Sequence, residues 1–327
     1  MLYPLKFQPI YKHKIWGGNL LQTLYGRTLP DDRTGEAWEV SCREEDVSVI
    51  ANGPFSGRSL RELAEEYGAA VCGSAPMENG RFPLLLKYLD VQTDLSVQVH
   101  PTPEYIRQYG QPGEEAKVEI WYVLHAEPDA KIICGLRDGI TEKELRQAAE
   151  QKQLGSCLKE QPVQTGDVLF ISPGTVHAAC AGLFLFELQQ SSDTTFRLYD
   201  YDRIDTDGRP RRLDLEKSLR CIRYDAAPEL LCLPAFCTAD GISRRRLKQC
   251  DRFVLDELRL EQAQGAFHTG NEFCILTCID GQADISTAVL NVTLNRGESA
   301  LLPAAMGAYT LSGTAALLRS AAVAGSL

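Results

Sequence analysis

Two stretches of this 327-residue chain repeat one pattern of strand, Gly-acid turn, strand and proline-led turn. The first begins at Glu119 (EIWYVL) and continues through GDVLFISPGTVHA, and the second begins at Glu272 (EFCILT) and continues through GESALLPAAMGAY. Self-similarity of this kind is the signature of a duplicated structural unit. Because the apolar runs are short and rich in β-branched and aromatic residues, the chain is predicted to be mainly β, built from two related sandwiches or barrels.

Helical patterns are confined to a few places that read as insertions. Residues 141–153 open with Thr141 and Glu144 at the spacing of a capping box, and residues 59–70 and 213–221 are the other candidates. In the first repeat His177 follows Glu119 by 58 positions, whereas in the second Ala308 follows Glu272 by 36. The helix of residues 141–153 and its connections account for the extra length of the first repeat.

Composition excludes several classes of protein. With 34 Lys and Arg against 44 Asp and Glu, the net charge of −10 argues against nucleic acid or an anionic membrane surface as the partner. A small anionic substrate remains possible because local cations can outweigh the global charge. No apolar run nears the roughly 18 residues of a membrane span, and the start shows no signal-peptide pattern, so a cytoplasmic location is expected. Eleven scattered cysteines without C-x-x-C spacing suggest neither a zinc ribbon nor a disulfide framework.

Two of the five histidines occur in a context that suggests metal binding. In LSVQVHP, period-two alternation places Ser96, Gln98 and His100 on one face of a strand. Such alternation ordinarily marks a half-solvated strand, but Gln and His in place of Lys, Glu or Thr favour a row of ligands. His177 follows a proline turn, and Glu119 opens an apolar strand, a position that is normally solvent-facing. Two imidazoles and a carboxylate predict a three-ligand divalent site with open positions, with Gln98 as a neutral fourth ligand.

Three cations occupy unusual positions in the sequence. Arg197 lies between Phe196 and Leu198, just after the polar run of residues 189–195, so it is predicted to be a partly buried cation that needs an anion from protein or substrate. Lys117 precedes Glu119 by two residues, and Lys87 is isolated in the apolar segment FPLLLKYLD. For each lysine taken singly, a snorkelling side chain is the more common explanation. The remaining histidines, at 13, 125 and 268, are expected to be structural or surface residues.

Five segments together resemble the zinc-dependent type I mannose-6-phosphate isomerases, in their short bacterial form. They are GEAWEVS, LSVQVHP, KVEIWYVL, SPGTVHA and FELQQSSDTTFRLYDYDR. The resemblance runs from the IWGG around Trp16 to the C-terminal segment, and QVHP followed by QQSSDTT makes it highly specific. The repeats also resemble the cupin motif. The fold implied is two cupin-type jelly-roll β-sandwich or barrel domains with a few helical insertions.

The resemblance implies roles for individual residues. One Zn²⁺ per chain is expected on His100, Glu119 and His177, with Gln98 a fourth ligand in some members. Catalytic roles are expected for Arg197, Lys117 and Glu187, and phosphate binding for Lys87 and Ser96. The implied partner is a small sugar phosphate, with no nucleic acid or membrane, in a monomer or a small homo-oligomer.

The predicted boundary between the two domains lies where Pro228, Pro234 and a run of small residues interrupt the pattern. Residues 1–235 are predicted to form an N-terminal catalytic domain with helical insertions. Residues 236–327 are predicted to form a degenerate C-terminal cupin without a metal site, because Ala308 occupies the slot of His177.

The function expected from the resemblance is interconversion of mannose 6-phosphate and fructose 6-phosphate through an enediol intermediate. The proton-transfer base stays open among Lys117, Glu187 and a metal-bound water. Two alternatives are an inactive sugar-phosphate sensor on the same fold and a non-haem iron oxygenase, since two histidines and a carboxylate also describe a facial triad. Lys117 and Gln98 beside the metal count against the oxygenase.

Overall fold

The computed structural model describes residues 1–44, 46–75, 77 and 80–323, and it divides into two compact units. A terminal unit comprises Met1–Ile10, Trp38–Lys87 and Cys232–Leu327, and a central unit comprises Tyr11–Ala37 and Tyr88–Leu231. The last crossing from one unit to the other, at residues 231 and 232, lies close to the predicted boundary. The compact units are nevertheless discontinuous in sequence. The division into domains 1–235 and 236–327, which follows the repeats, stays a prediction.

Strands dominate the structure, which confirms the prediction of a mainly β protein. In chain order they are β1 (Ile10–Gly18), β2 (Thr34–Val40), β3 (Cys42–Arg43), β4 (Asp46–Val47), β5 (Leu84–Val91), β6 (Val97–Val99), β7 (Glu119–Ala126), β8 (Lys131–Leu136), β9 (Leu158–Pro162), β10 (Val168–Ile171), β11 (Val176–Ala179), β12 (Leu183–Gln190), β13 (Phe196–Tyr199), β14 (Glu229–Leu230), β15 (Cys237–Ala239), β16 (Ile242–Gln249), β17 (Phe253–His268), β18 (Cys274–Ser286), β19 (Val292–Asn295), β20 (Ser299–Leu302) and β21 (Ala308–Ala322).

The helices are short and lie between strands. They are α1 (Leu20–Tyr25), α2 (Leu60–Tyr67), α3 (Ala69–Cys72), α4 (Pro103–Tyr109), α5 (Glu142–Glu150) and α6 (Leu215–Cys221), with 3₁₀ turns at Gly53–Phe55, Leu154–Cys157 and Ala304–Met306. The capping box predicted at Thr141 and Glu144 is present at the start of α5. The single helix predicted over residues 59–70 is instead divided into α2 and α3, because Gly68 adopts φ +49° and ends the first helix.

Two sheets form the framework of the central unit. One has the strand order β1-β2-β5-β12-β7-β10-β14, and the other has the order β13-β6-β11-β8-β9. Three of the divisions between the compact units fall inside strands, namely β1, β2 and β5. A cluster around Trp16, Trp121 and Leu185 and another around Val97, Val176 and Leu198 supply the apolar core.

The terminal unit contains the second repeat in a sheet of order β15-β16-β17-β21-β18-β19, with β20 paired to β18. Long strands β17 and β21 pair antiparallel along almost their whole length. Its core gathers the inward residues of β17, β18 and β21, including Leu258, Leu276 and Leu317.

The two repeats share one backbone pattern. In the first, the Gly166 N–H donates to the Val123 carbonyl (2.8 Å), and in the second, the Gly297 N–H donates to the Cys278 carbonyl (2.7 Å). Both glycines adopt left-handed φ values, +93° and +86°, which other residues rarely adopt. The duplication inferred from sequence is therefore present in the hydrogen bonding.

This shared register corrects the sequence alignment of the repeats. Glu119 pairs with Ile171 across β7 and β10, and the equivalent pair across β18 and β20 is Cys274 with Leu302. The predicted match of Glu119 with Glu272 is therefore wrong by two residues, because apolar patterning does not reveal the pairing register. The position of Glu119 is occupied by Cys274 in the second repeat.

No helix in the described ranges is long and apolar enough to cross a bilayer. The longest, α5, has nine residues.

Asp90 on β5 is a buried carboxylate at the start of α1. Its Oδ2 accepts a hydrogen bond from the Leu20 N–H, and a Cβ on Gly18 would lie 2.5 Å from its Oδ1. Burial raises the pKa of Asp90 to about 6, although the N–H groups of Leu20 and Leu21 act in the opposite direction.

The raised pKa of Asp90 predicts a specific pH dependence of stability. The folded state binds the proton more tightly than the unfolded state, so the stabilisation is complete below about pH 4 and is lost as pH rises through about 6. Relative to Asp90→Asn, the free energy of unfolding of the wild type should fall across this window and then stay constant. Urea unfolding of both proteins between pH 4 and 8 measures the difference, and parallel curves throughout would contradict the assignment.

Candidate metal centre

Three of the predicted ligands converge in the interior of the central unit. One donor atom from each of His100, Glu119 and His177 lies within 4.8 Å of the others, and all three residues are fully buried. Glu119 opens β7 in one sheet, His177 lies on β11 in the other, and His100 directly follows β6. Two imidazole nitrogens and one carboxylate oxygen are therefore close enough to bind one metal ion together.

Strand register explains how the second sheet presents its side chains. Gln98 on β6 lies opposite His177 on β11 and opposite Arg197 on β13. Residues that are directly opposite point to the same face of a sheet, so these three form one row. The Gln98 Nε2 lies 3.3 Å from the His177 Nε2, which places the amide beside the three ligands.

The first sheet contributes a matching face. Gln189 lies opposite Glu119, and Glu187 lies opposite Trp121, on strands β12 and β7. The Trp121 Nε1–H donates to the Glu187 Oε2 at 2.8 Å, and the Trp121 ring lies 5.6 Å from the ring of His177. Glu187, predicted as a proton-transfer residue, is therefore buried on the same face as Glu119.

Buried charges surround the Glu119 carboxylate. Lys117 Nζ lies 2.9 Å from its Oε2, and His177 Nε2 lies 3.3 Å from its Oε1. Burial raises the pKa of Glu119, but the charges of His100 and Lys117 and the contact with His177 outweigh burial and hold the pKa well below its usual range. The carboxylate therefore stays ionised, as a metal ligand must be.

The orientation of His177 leaves one nitrogen available for a metal. Its Nδ1 lies 3.0 Å from the Thr175 carbonyl oxygen and donates to it. The Nε2 then carries the lone pair and is directed at Glu119 and Gln98. Orienting contacts of this kind are usual for histidine ligands. Sequence reasoning missed Thr175, since a backbone carbonyl leaves no side-chain signal.

The hydrogen bonding of Glu119 and the types of donor atom in the site both suit a bound cation. Neither carboxylate oxygen of Glu119 accepts a hydrogen bond of good geometry, although both are buried. A buried carboxylate in that state is stabilised by positive charge. Two imidazoles and one carboxylate are the donor set of several zinc enzymes, so the residues suit a divalent metal.

Arg197 is half-buried, and one of its buried N–H donors makes no hydrogen bond. Its Nη1 donates to the Arg212 carbonyl at 2.9 Å, and its buried Nε makes no hydrogen bond. Burial and the neighbouring charge of Arg211 lower its pKa, against the effect of Asp200. In the part of the chain that the structure describes, no carboxylate forms an ion pair with Arg197, and Asp200, Asp214 and Asp205 act on it only at longer range.

A cluster near Arg197 was not foreseen from the sequence. Asp200 is buried and accepts from the Arg211 Nε at 2.7 Å and from the Arg203 Nη2 at 2.5 Å. The run of residues 200–212 reads as a charged turn, and nothing in it distinguishes a buried aspartate from exposed ones.

The two predicted phosphate-binding residues are both buried, but in different units. Ser96 lies in the central unit just before β6. Lys87 belongs to the terminal unit, where its Nζ lies 4.7 Å from the centre of the Trp38 ring. Their shared role stays a prediction.

Comparison with known proteins places the chain among one group of enzymes. Residues 4–112 match the family model "Phosphomannose isomerase type I, catalytic domain", and residues 244–322 match "Mannose-6-phosphate isomerase, cupin domain". The Bacillus subtilis protein named "Mannose-6-phosphate isomerase ManA" is 36% identical over 312 residues, 95% of this chain and 96% of the relative. A mannose-6-phosphate isomerase of Streptococcus mutans is 33% identical over 98% of both chains.

A solved structure shows the same fold. The crystal structure of the mannose 6-phosphate isomerase from Bacillus subtilis superposes with a TM-score of 0.88 at 31% identity, covering 98% of this chain and 99% of that one. Together with the cupin match in residues 244–322, this confirms the predicted cupin-type fold.

Replacing one imidazole should remove the metal. His177→Ala leaves only two of the three ligands, so bound divalent metal should fall towards zero. His125→Ala is the matched control, because His125 is also a β-strand histidine next to a glutamate, at 3.2 Å from Glu127. Metal content per chain by mass spectrometry, with circular dichroism as a check of folding, measures the effect. Full metal in folded His177→Ala would show that the metal binds elsewhere.

Proposed function

The chain belongs to the type I mannose-6-phosphate isomerase family, and we propose that it interconverts mannose 6-phosphate and fructose 6-phosphate. The observation that supports the proposal most strongly is the buried set of His100, Glu119 and His177 beside Lys117 and Arg197. It combines candidate metal ligands with cations on one interior face.

We propose that the metal is one Zn²⁺ per chain, held by His100, Glu119 and His177, with Gln98 as a fourth ligand. When bound, a divalent cation supplies Lewis-acid polarisation of carbonyl and hydroxyl oxygens. The chain's own part is to keep Glu119 ionised through Lys117 and to hold the His177 Nε2 towards the site through Thr175.

Aldose–ketose isomerisation moves a proton between C2 and C1 of the sugar, and negative charge develops on the two oxygens in the transition state. The environment of Arg197 suits this residue to stabilising that charge. Its guanidinium is half-buried, has no ion-pair partner in the described structure and has a free Nε donor. A planar fork of donors is suited to span two neighbouring oxygens.

Glu187 is the better candidate for the proton-transfer base. Lys117 is committed to an ion pair with Glu119 at 2.9 Å, so taking up a further proton is not open to it. Glu187 is a carboxylate on the same face as Glu119, fixed by the Trp121 N–H and buried from bulk water. A carboxylate fixed close to the substrate is one of the groups that enzymes use as a general base.

The phosphate-binding residues, the cellular location and the oligomeric state are proposals as well. Lys87 and Ser96 are proposed to hold the substrate phosphate, as buried groups with a charge and a hydroxyl. A cytoplasmic location and a monomeric or small homo-oligomeric state stay predictions. No observation in the structure favours the sensor or the oxygenase.

A coupled assay with mannose 6-phosphate tests the proposed function directly. Turnover should be lost after chelation and return when one equivalent of zinc per chain is added. Oxygen consumption should stay at background throughout. Metal-loaded protein that binds mannose 6-phosphate without turnover would indicate the sensor, and oxygen uptake would indicate the oxygenase.

Replacing Arg197 should affect turnover rather than substrate binding. If Arg197 acts on charge that exists only in the transition state, Arg197→Ala lowers kcat and kcat/KM alike, by on the order of 10²–10³, and leaves KM nearly unchanged. Arg197→Lys should restore part of the loss, since one ammonium cannot span two oxygens. Steady-state kinetics measures both, and a large rise in KM at unchanged kcat would instead indicate a phosphate contact.

Replacing Glu187 by glutamine separates acid–base chemistry from packing. Glu187→Gln keeps an oxygen acceptor for the Trp121 N–H but cannot take up a proton, so kcat should fall by roughly 10²–10⁴ while metal content is retained. Glu127→Gln, at an exposed carboxylate, is the control. Activity of Glu187→Gln near that of the control would exclude Glu187 as the base.

A further inference from the structure

The terminal unit contains an open cavity of about 600 Å³ that the proposed reaction does not use. All of its lining residues belong to the terminal unit, on or beside β15, β16, β17 and β21. The polar groups that matter here are Arg244, Arg246, Arg319, Asp256, His268 and Tyr309.

The cavity borders the position in the second repeat that corresponds to the metal centre of the first. His177 pairs with Gln98 in the first repeat, and the equivalent pair in the second is Ala308 with His268, which lines the cavity. The equivalent of Glu119 is Cys274. Neither Ala308 nor Cys274 reproduces the carboxylate and imidazole of the first repeat, so the metal ligands are gone while a cavity remains.

Arginines line this cavity in place of metal ligands. Arg246, Asp256 and Arg319 are directly opposite one another on β16, β17 and β21. Asp256 contacts both guanidiniums, with its Oδ2 at 3.2 Å from the Arg319 Nη1 and its Oδ1 bonded to the Arg246 Nε. One carboxylate therefore faces two cations.

Arg244 adds a third, exposed cation, and no residue in the described ranges neutralises it. It lies two residues before Arg246 on the same face of β16. No hydrogen bond or ion pair links its guanidinium to any residue in the described ranges. At the rim, His268 Nδ1 accepts from the Gly270 N–H at 2.9 Å, which leaves the Nε2–H as a further donor.

Arg245 also lines the cavity, but the protein itself neutralises it, as it does Arg259 on β17. Both bind the buried Glu257, at 2.6 and 2.9 Å, and both lie over the Phe236 ring. Arg244 differs from these two arginines because no residue in the described ranges pairs with it.

We propose that this cavity binds the phosphate group of a small phosphorylated polyol. Guanidinium forks match the oxygens of a phosphate dianion, and the three arginines against Asp256 leave the charge that such a group would neutralise. The volume is within the range of small-molecule sites and is many times that of one phosphate ion. Phe267 and Tyr309, stacked at 5.5 Å, supply an apolar wall for the carbon skeleton.

Calorimetric titration of the zinc-loaded full chain with glucitol 6-phosphate tests the proposal. This probe carries a phosphate and hydroxyls but no carbonyl group, so it cannot be isomerised. The wild type should show a class of binding sites for this probe whose affinity Arg244→Gln lowers by at least about tenfold. A loss of that size is the effect of one lost charge-assisted hydrogen bond. Arg244 has no partner in the protein, so this variant should fold normally and keep the turnover of the wild type.

Arg259→Gln is the matched control, since it removes one positive charge from the opposite face of the same sheet. It should bind the probe as the wild type does, and inorganic phosphate should bind the wild type more weakly than the ester. Equal affinity of Arg244→Gln and the wild type would overturn the site. If Arg259→Gln lowered the affinity for the probe as much as Arg244→Gln does, the effect would come from net charge alone and the site would be overturned. If inorganic phosphate bound more tightly than the ester, the assignment to an ester would be wrong.

Discussion

The central unit depends on keeping one charged carboxylate away from water. Glu119 is fully buried, and an isolated ion in that position would cost several kcal/mol, so it persists because Lys117, His100 and His177 surround it. These partners come from both sheets of the unit. A slip of one residue in any pairing would turn a partner to the other face, so the register of β6, β7 and β11 is constrained by the same charge.

Much of the site is visible in the sequence because strands alternate. The period of two in LSVQVHP correctly places Gln98 and His100 towards one face, and the proline turn correctly brings His177 to them. What escapes detection depends on the backbone. The Thr175 carbonyl that orients His177 has no side-chain signature, and the register that matches Glu119 with Cys274 is set by hydrogen bonds of Gly166 and Gly297.

The two repeats show how one backbone pattern accommodates different chemistry. The first places a carboxylate and two imidazoles in its interior, whereas the second has Cys274 and Ala308 at two of the corresponding positions and arginines around its cavity. The strand pairings are retained because backbone hydrogen bonds and apolar burial define them, not the polar side chains. The second repeat therefore keeps its strand pairings with Cys274 and Ala308 at these positions.

X-ray absorption at the zinc edge of the loaded protein tests most directly whether the buried set around Glu119 holds the metal. The chain offers an alternative, since it contains eleven cysteines, and zinc bound to thiolate has a sulfur shell at about 2.3 Å. Zinc held by the set around Glu119 should have nitrogen and oxygen neighbours at about 2.0–2.2 Å, with the outer scattering of two imidazoles and no sulfur. A spectrum dominated by sulfur would contradict it.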